Sequence, residues 1–74
     1  MLHDDTLYRL PDGHEVRCAV LFPGEQHYRL DDARTGLPLY LIDAGQFYRL
    51  TEADDGSKYH AGSCDLVLAD LTQV

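Results

Sequence analysis

Tyr8-Arg9-Leu10, Tyr28-Arg29-Leu30 and Tyr48-Arg49-Leu50 are three copies of one tripeptide, spaced 20 residues apart. Each leads into a glycine turn: Asp12-Gly13, Thr35-Gly36 and Asp55-Gly56. Apolar segments follow the first two turns, at residues 16–22 and 37–42, and end at Pro23-Gly24 and Asp43-Ala44-Gly45. Glycine beside aspartate supplies the positive φ that tight hairpins require. Turn signals at roughly 8–12 residue intervals are the cadence of an all-β domain. Strands are expected near 6–10, 15–22, 27–31, 37–43 and 46–51, with a weaker one near 57–61. Consecutive hairpins of this kind give an antiparallel meander of five to six short strands. The meander would form a curled sheet or a small SH3-like barrel, one β domain over residues 1–74. The tail can end it in either of two ways. Ser63 or Asp65 can cap a short helical turn carrying Leu68 and Leu71, or Leu66 and Leu68 can alternate as a last strand.

Side chains alternate across a strand, so the tyrosine and leucine of each copy share one face and the arginine lies on the other. The expected core is therefore Tyr8, Leu10, Tyr28, Leu30, Tyr48 and Leu50. Val16, Cys18, Val20 and Phe22 match it on the second strand, and Leu39 and Leu41 complete it. The tyrosines belong near the rim, where their hydroxyls can find partners. The second face carries Glu15, Arg17 and the three repeat arginines. It also carries Leu7, Leu21, His27, Tyr40, Ile42 and Phe47, more apolar area than a solvated face needs. These six are the candidate interaction face. Either the C-terminal Leu66, Leu68 and Leu71 cover it or a partner chain does, a second copy included.

Charge narrows the partners. Thirteen acidic and six basic residues give a net charge of −7 and argue against general nucleic-acid binding, because phosphate repels such a surface. No apolar run approaches the ~20 residues of a membrane span, and no basic-then-apolar leader opens the sequence. These features read as a soluble, cytoplasmic chain. Arg9, Arg29 and Arg49, on the first, third and fifth strands, would form a row about 10 Å apart. Such a row is a candidate anion site for phosphate, a carboxylate or a single-stranded nucleic acid. Two charges at that separation repel by only ~0.4 kcal/mol in water, so the row needs no ligand, and carboxylates such as Glu15 and Asp43 can pair with it.

Catalytic chemistry finds little footing. Cys18 and Cys64 read as reduced thiols, with Cys18 facing the core, where burial suppresses thiolate formation. His60 and Cys64 stand four apart, but a zinc site needs three or four converging ligands and no Cys-x-x-Cys or His-x-x-x-His pair exists. The acid pairs Asp4-Asp5, Asp31-Asp32 and Asp54-Asp55 sit at ends or turns, and Asp54-Asp55-Gly56 lacks the ligand order of a calcium loop. No catalytic residue, metal site or cofactor is expected. The leading functional expectation is a non-enzymatic protein-interaction module capable of homodimerising. The alternative is an anion or single-strand binder using the arginine row.

Overall fold

A computed structural model, describing residues 2–22, 24–52 and 59–74, shows one antiparallel sheet. Its strands are β1 (Thr6–Arg9), β2 (Glu15–Phe22), β3 (His27–Asp32), β4 (Pro38–Asp43), β5 (Gln46–Glu52), β6 (Tyr59–Cys64) and β7 (Thr72–Gln73). Their order across the sheet is β6-β5-β4-β3-β2-β1-β7, a meander whose last strand joins the far edge. The sheet is open rather than a closed barrel. The weaker strand expected near 57–61 is described from Tyr59 and runs on to Cys64, with residues 57–58 outside the described residues. The tail forms a short helical turn at Leu68–Asp70, entered from Val67 rather than from Ser63 or Asp65, and its strand is Thr72–Gln73 rather than a segment through Leu66 and Leu68. Pro23 and the Asp54-Asp55-Gly56 turn lie outside the described residues.

The chain between β6 and β7 must pass from one sheet edge to the other. It does so over the inner face, where Leu66, Leu68 and Leu71 pack against the core. Leu2 closes the same core from the N-terminal side. The neighbouring His3 N–H donates to the Tyr8 hydroxyl at 2.9 Å, so this buried tyrosine has its polar partner. The C-terminal leucines thus cover the inner face, not the arginine-bearing one.

Loop length decides which residues reach the core. Cross-strand partners share a face, so a loop with an odd number of residues pairs even positions with even ones. A loop with an even number exchanges them. Between β1 and β2 the ladder is closed by Leu10 N–H donating to the His14 carbonyl at 2.8 Å, which leaves a three-residue loop, Pro11 to Gly13. Four residues separate Phe22 from His27, which would exchange the faces, but Leu21 is an extra residue that restores them. Leu39 does the same after the four-residue loop between Asp32 and Leu37. β4 and β5 are joined by Ala44 and Gly45 alone, and no bulge follows. Both have positive φ, 51° and 87°, as in the mirror-image turn that matches strand twist.

The third tripeptide is therefore turned over. Tyr8 and Tyr28 are buried, whereas Tyr48 lies on the outer face and Phe47 is buried in its place. Leu50 and Leu41 go outward with Tyr48, and Ile42 goes inward, correcting the expected core. Phe22, expected inside, is thrown outward by the Leu21 bulge and is 57% exposed. Val16, Cys18, Leu10 and Leu30 are buried as expected, and Val20 and Leu39 pack against them. Phe47, Leu30, Ile42 and Val16 are fully enclosed, each contributing about 1.5–3 kcal/mol of burial.

Candidate functional site on the outer sheet face

The outer face carries charge pairs at one end and is apolar at the other. Arg9 Nη2 donates to Glu15 Oε2 at 3.0 Å across a directly registered pair. Arg17 reaches Asp5 at 3.1 Å. Arg29 makes a two-pronged contact with Asp31, Nε to Oδ1 at 2.8 Å and Nη2 to Oδ2 at 3.1 Å. His27 Nε2 lies 2.8 Å from Asp43 Oδ1, again a registered pair, and its ring meets Phe22 edge-to-face with centroids 5.4 Å apart.

Beyond His27 and Asp43 the face becomes a shallow groove of about 370 Å³. Leu21, Phe22, Leu41, Tyr48 and Ala61 supply its apolar lining. The two loops beside it are tied together, since Ala44 N–H donates to the Gln26 carbonyl at 3.2 Å. That bond links the β2–β3 loop to the β4–β5 turn at the end where His27 and Asp43 stand.

The structure divides the six residues of the candidate interaction face. Leu7, Leu21 and His27 are on the outer face. Ile42 and Phe47 are core residues, 1% and 0% exposed, and Tyr40 packs with them on the inner side, its ring 6.4 Å from that of Phe47. The two-residue turn at Ala44-Gly45 is the cause. Phe22, Leu41, Tyr48 and Ala61 take their place outside. The run Ala19-Val20-Leu21-Phe22 breaks the alternation of β2, and the register shift at Leu21 falls within it.

The arginine row is not formed. Arg9 and Arg29 share the outer face, each held by a carboxylate. Arg49 pairs in register with Tyr40 and so lies on the inner side, beside Asp12, His14 and Tyr40 in a depression of about 170 Å³. Cys18 is enclosed in the core, and its thiol is pushed up to about 11 by burial, with Asp4 and Asp31 adding to the effect. His27 is on the other face of the sheet from Cys18, so the two do not form a thiol–imidazole pair. Among the described residues no three histidine, cysteine, aspartate or glutamate side chains are grouped as metal ligands would be. No helix among them is long and apolar enough to cross a membrane. No protein family, curated protein or solved structure matches the chain.

Proposed function

We propose that the chain is a non-enzymatic protein-interaction module that binds through the apolar groove of its outer face. The observation that carries this reading is Phe22. A bulge at Leu21 turns a large aromatic side chain away from the core and sets it, more than half exposed, beside Leu41 and Tyr48. Exposed aromatics next to apolar grooves are the usual anchors of protein recognition. Asp43 at the groove's rim and the net charge of −7 favour a partner segment with an apolar anchor and basic flanks. The carboxylates on Arg9 and Arg29 favour this reading over an anion site.

Selection from a displayed peptide library tests it. The wild-type chain should enrich sequences with an apolar residue flanked by lysine or arginine. Phe22→Ser should lose that enrichment while keeping its circular dichroism spectrum and melting temperature, because the side chain lies outside the core. Enrichment of no motif, or of one indifferent to Phe22→Ser, would refute the groove as the binding surface.

A further inference from the structure

The two sheet edges differ. β7 offers two residues to solvent, whereas β6 offers six in an unbroken register with β5, from Tyr59 to Cys64. Among the described residues β5 is the only strand paired with β6. Proteins blunt such an edge with lysine, proline, a bulge or an inward charge. Tyr59-His60-Ala61-Gly62-Ser63-Cys64 has none of these, and no carboxylate, on a chain of net charge −7.

The backbone direction along this edge follows from the turn at Ala44-Gly45. A two-residue turn makes Asp43 and Gln46 a hydrogen-bonded pair. Alternation then points the backbone groups of Phe47, Arg49 and Thr51 toward β6. Their partners Cys64, Gly62 and His60 face β5, so the N–H and C=O groups of Tyr59, Ala61 and Ser63 face outward. We infer that β6 pairs antiparallel with β6 of a second copy, across a two-fold axis at Ala61.

Complete pairing of the edge selects one register. Outward groups can bond only to outward groups, and the one register that pairs all three outward residues sets Ala61 against Ala61 of the second copy, with Tyr59 facing Ser63 on either side. All six outward donors and acceptors are then satisfied. The side chains fit the same register. Tyrosine stands opposite serine, histidine opposite glycine and alanine opposite itself, so every large side chain meets a small one. No like charges are opposed, which a strand pair requires. That self-complementarity favours a second copy over an unrelated extended segment. The dimer deepens the interaction reading given above but uses an edge, not the Phe22 anchor, so Phe22→Ser should leave it intact.

Sedimentation equilibrium measures it. Wild type should approach twice the 8.4 kDa chain mass with rising concentration. Association should strengthen with salt as self-repulsion is screened. Ala61→Pro should weaken dimerisation at least tenfold with its strand content unchanged, since the lost N–H points outward. Ala61→Lys and Ala61→Glu should each be monomeric alone and form a heterodimer when mixed, because position 61 meets itself across the axis. A chain monomeric at every concentration overturns the proposal. So does a wild-type dimer that persists in both charged variants, or charged variants that fail to recombine.

Discussion

Phe47 lies directly across the β4–β5 hairpin from Ile42, and both side chains are closed off from solvent at 0% and 1% exposure. This pair fixes the parity of the second half of the sheet. It places Tyr48 and Leu41 outside, and so it builds the floor of the groove.

Two substitutions at neighbouring positions separate the inner from the outer face. Phe47→Ala should cost about 3–5 kcal/mol, enough to unfold much of a chain this small. Tyr48→Ala should cost roughly 1 kcal/mol or less, since it removes an outward side chain. Urea unfolding of the two variants measures both. Equal losses, or the reverse order, would mean that the third tripeptide keeps the face of the first two.

The turn that sets this parity carries strain at one residue. Ala44 has φ of 51°, a left-handed conformation that disfavours a side chain with an unassisted Cβ. Asparagine tolerates it better and makes the Asn-Gly pair typical of such turns. Ala44→Asn should add about 0.5–1 kcal/mol of stability. Gly45→Ala, at φ of 87°, should remove a comparable amount. Thermal melts of both variants check the two signs together.

Acid stability should depend on Asp32. Its carboxylate sits below its ordinary value of 3.8, chiefly because the Arg34 backbone N–H donates to it, with desolvation opposing and Thr35 and His14 assisting. The unfolded chain therefore binds this proton more readily than the folded one. The stabilisation is present above the ordinary value and is lost as pH falls through the lowered one. Asp32→Asn keeps an acceptor for the Arg34 N–H at 2.7 Å but cannot ionise. Its stability should be flatter than wild type below about pH 4, measured as the urea midpoint against pH.

Thiol reactivity should distinguish the two cysteines. With its thiol near 11, Cys18 is only about one-thousandth thiolate at pH 8, and it is enclosed. Cys64 is half-buried. Native protein should therefore yield one fast-reacting thiol per chain and two after denaturation. The same shift makes stability fall above pH 9, where the unfolded thiol ionises at its ordinary 9.0 and the folded one does not. A second fast thiol in the native state would contradict the packing of Cys18.

The meander was legible because its punctuation is local. Aspartate-glycine and alanine-glycine pairs announce hairpins, and the strand positions follow within a residue or two for β1 to β5. Face assignment was legible only as far as the first two tripeptides. A repeat in sequence is a repeat in space only when the loops between copies preserve parity. Leu21 and Leu39 preserve it for Tyr28, and the short Ala44-Gly45 turn breaks it for Tyr48. The candidate interaction face was consequently mixed, with Tyr40, Ile42 and Phe47 placed on it although they belong to the inner side. The crossing of Leu66, Leu68 and Leu71 over the inner face is a long-range packing event that no local pattern encodes.

The groove itself is tested most directly by nuclear magnetic resonance on the isotope-labelled chain, titrated with a peptide selected by the wild-type protein. The amide signals of Phe22, Leu41, Tyr48 and Ala61 and the methyl signals of Leu41 and Ala61 should move together, saturating at one peptide per chain. Shifts confined to Arg9, Arg29 and Arg49, with the Phe22 cluster still, would contradict the groove and return the charged positions to consideration.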